Sequence, residues 1–288
     1  MRWCQFYVTR TWLACCAGLA VLSLGACADD TSWADQYVTL RGETMGTYYA
    51  LRFKQAAPCQ MSVAEADAIL AGVNQSMSTY LDASELSKFN ADDSLQWRDV
   101  SAGLAEVLGV ADAVHRASGG AFDVTVGPLV NAWGFGPGRQ TAAPSAEAQE
   151  AAAASVGMQH LEWEQQNGVT RLRKRVAGVY VDFSALAKGY AVDQLADVLR
   201  GRGCAHFMVD VGGEISVSGL NPRAVSWQIG IESPAVGQIG VVQKVMVLND
   251  VSVATSGDYR NFRMVNGRRV DHVFDPRSAG PADNLVVS

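Results

Sequence analysis

The sequence has no Cys-x-x-Cys pair and no cysteine and histidine spacing suited to a metal, so neither a zinc site nor a disulfide scaffold is expected. Basic excess is missing too: the net charge is −6, the pI is near 5.2 and charged residues make up 18%, which leaves no electrostatic footprint for nucleic acid. Any phosphate that this chain binds must therefore be held locally, by backbone amides, a helix N-terminus, a lysine or a metal. The apolar run Trp12–Leu24 is shorter than the ~20 residues that a spanning helix needs. No internal repeat or low-complexity tract is visible.

What is present begins with a targeting segment. Arg2 and Arg10 form a positive region ahead of the apolar run, and Leu24-Gly25-Ala26-Cys27 closes it with small residues before a cysteine. Residues 1–26 read as a secretory signal, and the closing tetrapeptide resembles a bacterial lipobox, which would make Cys27 the acylated first residue of the mature chain. Residues 27–36 follow as a polar tether. The expected location is the cell envelope, lipid-anchored on the periplasmic side of the inner membrane. Of the six cysteines, only Cys59 and Cys204 then remain in the folded part; they could pair in an oxidising compartment, but with no motif to join them both are read as unpaired. About 260 residues, enough for a substantial core, make up the mature chain, with residues 37–288 as its domain.

Tyr37 to Phe53 is rich in β-branched and aromatic residues around Met45-Gly46-Thr47 and reads as strand, turn, strand. Ser62 and Glu65 form a capping box ahead of Ala66, Ile69, Leu70, Val73 and Met77 at helical spacing. A turn from Tyr80 leads into a short helix near 84–90. A second amphipathic helix is expected over 102–117 with Gly119 as its stop, and a third over 145–155. Strands are expected near 158–164, 169–174 and 178–182, then a helix capped by Ser184 through Leu199. Beyond it the pattern is nearly all strand: 205–211, 214–218, 226–232, 240–248, 251–255, 261–265, 269–274 and 285–287. Helices early and strands late imply an α+β fold with mainly antiparallel sheets and packed helices.

The chain is organised around residues 119–138, where glycines at 119, 120, 127, 134, 136 and 138 interrupt large apolar side chains. Phe122, Trp133 and Phe135 offer flat surface beside one carboxylate, Asp123, as a tight structural turn or as the wall of a pocket for a planar ligand. A second informative stretch joins a strand to a helix. It places Asp182 and the amides after Ser184 on one side, with Lys188 a turn further on, able to reach an anion favoured by the helix dipole. The alternative there is a helix cap and a solvated lysine. Asp210-Val211-Gly212-Gly213-Glu214, Thr255-Ser256-Gly257 and His272-Val273-Phe274-Asp275-Pro276 put further polar groups at strand ends. His115 has no partner ligands near it and reads as a structural histidine.

These stretches, together with Met45-Gly46-Thr47, Ser78-Thr79-Tyr80 and Asp182-Phe183-Ser184-Ala185-Leu186-Ala187-Lys188-Gly189-Tyr190, occur in the order seen in the ApbE family, which the sequence resembles over roughly residues 37–288. The resemblance implies a T-fold-like α+β architecture and a periplasmic, magnesium-dependent FAD:protein FMN transferase. Such an enzyme moves the FMN half of FAD onto a threonine or serine hydroxyl of a flavoprotein subunit and releases AMP. By the same resemblance Met45, Tyr80, Ala121, Phe122, Asp123, Asp182, Lys188 and Phe274 look like FAD contacts, and Ala185 would lend a backbone carbonyl to Mg²⁺. His272 is the expected base for the acceptor hydroxyl. The expected partners are FAD and acceptor subunits of membrane redox complexes. Two other readings keep the site: a pyrophosphatase that splits FAD into FMN and AMP, and a lipid-anchored flavin-binding protein without activity. Family members continue past the Asn284–Ser288 strand into a segment that supplies side-chain magnesium ligands, so the sequence is expected to be a fragment.

Overall fold

The computed structural model describes residues 32–137, 142–234, 240–257, 261–265 and 267–282. The signal segment, Cys27, Gly138 and the strand expected at 285–287 lie outside them. From Ser32 onward the tether lies against the domain. Trp33 donates its indole N–H to the Asn221 carbonyl (2.8 Å), carries the Lys54 ammonium over its ring and sets its edge on His206.

Strands β1 (Tyr37–Thr44) and β2 (Thr47–Lys54) form the expected hairpin, with Met45 (φ 50°) and Gly46 (φ 70°) both left-handed at its turn. Alternation buries Tyr49, Leu51 and Phe53 on one face. Gly42 is needed opposite Tyr49, since a Cβ there would sit 2.4 Å from the ring. Helix α1 (Val63–Met77) starts at Ser62, whose hydroxyl accepts from the Glu65 N–H, and buries Ala66, Leu70, Val73 and Met77. Helix α2 (Glu85–Ala91), strand β3 (Arg98–Val100) and helix α3 (Ala102–Ala117) follow, α3 ending in Gly119 at φ 60°.

The organising stretch folds into a short 3₁₀ turn and helix α4 (Gly127–Ala132), followed by α5 (Ala146–Ala153), β4 (Leu161–Gln166) and β5 (Val169–Lys174). Two expectations need correction here. Residues 158–160 are a 3₁₀ turn and not part of a strand. Residues 178–182 join no ladder: Gly178 is left-handed in a turn (φ 80°), and the Asn90 side chain, not a neighbouring strand, takes both backbone groups of Val181. The third strand of that sheet is β3, giving the order β3-β5-β4.

Helix α6 (Ser184–Gly201) begins one residue differently from expectation: Phe183 is its N-cap and Ser184 is already helical, with its N–H accepted by the Asp182 carboxylate at 2.8 Å. Its inner face is Ala191, Val192, Leu195, Ala196 and Leu199, while Leu186, Tyr190 and Val198 are only partly covered. Strands β6 (Phe207–Val211) and β7 (Glu214–Ser218) then form a hairpin, followed by β8 (Trp227–Glu232), β9 (Val242–Leu248) and β10 (Val251–Val253). The main sheet runs β1-β2-β6-β7-β10, every described pairing being antiparallel, and α1 and α6 pack against it and each other. Each large side chain fully buried there, Phe207 or Leu195 for example, stabilises the fold by roughly 1.5–3 kcal/mol. The last strands are β11 (Phe262–Val265), β12 (Arg268–Asp271), β13 (Phe274–Asp275) and β14 (Gly280–Pro281); a break at His272 and Val273 divides the single strand expected over 269–274.

Cys59 and Cys204, read as unpaired, form a disulfide across 145 residues. Cys59 precedes α1 and Cys204 follows α6, so the packing of these two helices brings the sulfurs together, a proximity that sequence spacing does not contain. Arg202 bonds Glu65 and the Gln60 carbonyl at the same end.

Candidate functional site

Alternation along Val179-Tyr180-Val181-Asp182-Phe183 decides one wall. Val179, Val181 and Phe183 are buried, so Tyr180 and Asp182 face the other way, outward and together. The Tyr180 hydroxyl lies near the Thr79 and Asn131 side chains and within the field of Asp182 and Tyr80; burial, reinforced by the Asp182 charge, pushes it above the ordinary tyrosine range. Gly127 lets the ring approach, since a Cβ at that position would stand 2.3 Å from it. A cavity of about 470 Å³ opens here, lined by Thr79, Asp82, Asn90, Asn131 and Tyr180 among others. Tyr80 stands exposed beside it, with its N–H on the Ser78 hydroxyl.

Asp123 is turned into the protein. One oxygen accepts from the Thr125 N–H (2.8 Å) and hydroxyl (2.5 Å), and the other accepts from the Met158 N–H (3.0 Å), with His115 Nδ1 at 3.6 Å. His115 also bonds the Phe122 carbonyl at 2.8 Å, as expected of a structural histidine. Asp123 thus fixes the loop that presents exposed Ala121 and half-buried Phe122. Further along the same stretch, Phe274 packs against Trp133 and Phe135 with ring centroids 6.3 and 6.0 Å apart. Arg263 donates to the Trp133 carbonyl (3.1 Å) and lies over the Phe135 ring. His272, two residues from Phe274, places Nδ1 3.2 Å from the Asn261 carbonyl.

Lys188 does reach a carboxylate, that of Glu214 at the start of β7, with Nζ 2.7 Å from Oε2. Asp210 lies near: it accepts from the Gly213 N–H (2.9 Å) and the Tyr48 hydroxyl (3.2 Å). Burial raises its carboxyl above the usual range, while those bonds and the Lys188 charge pull it back. The β1–β2 turn that carries Met45 sits against this hairpin, with the Gly212 N–H on the Tyr48 carbonyl. The expected residues therefore fall into four neighbourhoods: Tyr80 and Asp182 near Tyr180, Ala121 to Asp123 on the loop tied to Thr125 and Met158, Phe274 and His272 by Trp133, Phe135 and Asn261, and Lys188 with the Met45 turn near the β6–β7 hairpin. Tyr180, Asn131 and Glu214 were missed. The first was legible from strand alternation two residues before Asp182; the other two become visible only once the chain is folded.

A larger cavity, about 940 Å³, lies among α1, α2, β3, the start of α3 and α6, and none of the expected residues lines it. Its size is outweighed by the chemistry gathered around Asp182, and the candidate site is placed there. Ala185 is exposed in the first turn of α6. Among the described residues no group of three or more histidine, cysteine or acidic side chains could hold a metal ion, and no helix is long and apolar enough to cross a membrane.

The sequence model of the ApbE family matches residues 45–288. The chain is 42% identical to an FAD:protein FMN transferase of Vibrio cholerae serotype O1, over 97% of this chain and 81% of that one. It is 38% identical to the protein of the same name from Haemophilus influenzae, over 93% of this chain and 78% of that one. Among solved structures it superposes on the flavin transferase ApbE from Vibrio cholerae with a TM-score of 0.78 at 41% identity, covering 87% of this chain and 80% of that one. The apo flavinyl transferase ApbE of Pseudomonas stutzeri gives 0.76 at 35% identity, covering 86% and 76%.

Proposed function

The chain belongs to the ApbE family and is an enzyme, an FAD:protein FMN transferase; from that premise we propose that it joins FMN to a threonine or serine hydroxyl of a flavoprotein subunit. The hydroxyl oxygen attacks the phosphorus on the flavin side of the pyrophosphate. The bond from that phosphorus to the bridging oxygen breaks, AMP leaves with the electron pair, and the hydroxyl proton passes to His272.

The observation that carries this reading is that aromatic surface and charge gather along residues 119–137. Tyr80 and Asp182 stand near Tyr180, and Phe274 packs on Trp133 and Phe135. In this reading Met45, Tyr80, Ala121, Phe122 and Phe274 border the flavin, Asp182 holds a polar edge of the ligand, and Asp123 keeps the wall in place. Lys188, in the second turn of α6, faces the pyrophosphate.

Magnesium belongs to the proposal through the family resemblance, with the Ala185 carbonyl as one oxygen ligand. The described residues do not by themselves make up such a site, and no step above is routed through the ion. Export and lipidation at Cys27 are likewise proposed. The disulfide Cys59–Cys204 supports an oxidising compartment, and Cys27→Ser should move the protein out of the membrane fraction while FAD binding stays. The acceptors proposed are subunits of membrane redox complexes.

Incubating the full chain with FAD, Mg²⁺ and a candidate acceptor tests the reaction. A fluorescent acceptor band with equimolar AMP is the expected result. Free FMN and AMP without a labelled acceptor would make the chain a pyrophosphatase, and FAD recovered intact would leave it a flavin-binding protein.

A further inference from the structure

Lys188 is already engaged in the ligand-free protein. Its ammonium lies 2.7 Å from Glu214 Oε2, a buried atom that makes no aligned hydrogen bond, so the pair is held by charge. The Glu214 side chain is 15% exposed and that of Lys188 33%, which limits solvent screening of their attraction. The hairpin geometry fixes the carboxylate. Gly212 and Gly213, at φ 57° and 97°, turn the chain between β6 and β7, and Gly213 is tied back to Asp210, so Glu214 enters β7 directly beneath the first turns of α6. A Cβ on Gly212 would stand 2.6 Å from the Thr47 side chain, so the turn is also clamped by the β1–β2 hairpin. Asp210 lies within the field of the same ammonium.

An incoming phosphate therefore meets a lysine whose charge is spent internally, and it must share or displace the Glu214 carboxylate to gain the contact. A lysine ammonium has three N–H donors, so sharing is geometrically open, but the carboxylate then sits within a few ångströms of a like charge. We propose that Glu214 is an internal counter-anion for Lys188, one that holds down the affinity of the site for the anionic half of its ligand and keeps small free phosphates from occupying it. This rests on the reading of Lys188 as the residue facing the pyrophosphate.

The test is a double-mutant cycle in the full chain, read by titration with inorganic pyrophosphate, ADP and riboflavin, with thermal midpoints to confirm folding. Glu214→Gln, which keeps size and hydrogen bonding but removes the charge, is expected to tighten pyrophosphate and ADP binding by about three- to tenfold. Riboflavin, which has no phosphate, should bind as before. Lys188→Met is expected to weaken the two anions, and in Lys188→Met/Glu214→Gln the gain should vanish. Unchanged or weaker anion binding in Glu214→Gln, or a gain that survives without Lys188, overturns the counter-anion role. Should Glu214→Gln fail to fold, Glu214→Ala reads the same quantity. If Lys188→Met alone leaves anion binding untouched, the underlying assignment of Lys188 fails, which is a different result from a silent Glu214→Gln.

Discussion

Asn90 and Val181 behave as two paired strands reduced to one residue each: the carboxamide donates to the Val181 carbonyl and accepts from the Val181 N–H, both at 2.8 Å and across 91 residues. This contact fixes the extended segment that leads into α6, and with it the direction of Tyr180 and Asp182.

Replacing Asn90 by alanine would strand both backbone groups of a fully buried residue. An orphaned buried group costs about 1–3 kcal/mol, so a loss of about 2–4 kcal/mol is expected in chemical denaturation. FAD affinity should fall with it, because the wall that carries Asp182 loses its tie. A denaturation midpoint equal to wild type would show that the segment is held by its apolar side chains and the bond from the Asp182 N–H to the Val124 carbonyl (2.7 Å).

The disulfide Cys59–Cys204 closes a long loop around the whole α1-to-α6 region. Reducing it, or replacing both cysteines by alanine, should cost about 2–5 kcal/mol of stability. Comparing thermal midpoints with and without reductant checks this, and no shift would mean that α1 and α6 hold that end unaided through their packing and the Arg202–Glu65 pair.

His206 predicts a pH dependence. Its Nδ1 accepts the Leu220 N–H at 3.0 Å, so a proton there would break the bond. Burial, aided by the Lys54 charge, lowers its pKa in the folded state, against an opposing pull from Asp250. The unfolded histidine takes up its proton near pH 6.5, so just below that pH the unfolded chain binds more protons than the folded one. The contribution is therefore complete above pH 6.5 and is lost as the pH falls below it. Unfolding free energies between pH 6.5 and 5 should decline more steeply for wild type than for His206→Asn; parallel curves would remove His206 as the cause.

Much of this was readable before folding, for reasons that are local. Ser62, Ser84, Ser101 and Ser145 each accept an N–H from the third residue on, so a serine ahead of a periodic apolar run locates a helix start within a residue. Met45-Gly46 marks its turn through backbone sterics alone. What failed depends on distance along the chain. Residues 178–182 have the composition of a strand, and the left-handed Gly178 together with the Asn90 side chain of α2 on Val181 explains why they pair with none. Cys59 meets Cys204 because two helices pack. At the candidate site, the motifs single out Asp182, Phe274 and Lys188, but that Asp123 faces inward to Thr125 and Met158, and that Lys188 answers to Glu214, are matters of folded geometry.

His272 yields the last prediction. The Asn261 carbonyl can only accept, so the 3.2 Å contact assigns the ring proton to Nδ1 in the neutral imidazole and leaves the lone pair on Nε2. That is the form needed to take a proton from an incoming hydroxyl. The ring is also positioned by its neighbours: the Val273 N–H bonds the Asp271 carboxylate at 2.9 Å, and buried Phe274 ties the turn to Trp133 and Phe135. Because that aromatic anchor is separate from the imidazole, His272→Asn should leave FAD affinity within a few-fold of wild type. General-base catalysis is worth about 10²–10⁴-fold, so FMN transfer to the acceptor should fall by that order in single-turnover measurements. Transfer at the wild-type rate, or FAD binding that collapses together with transfer, would make His272 a residue that braces the β12–β13 turn and would move the search for the base to another group.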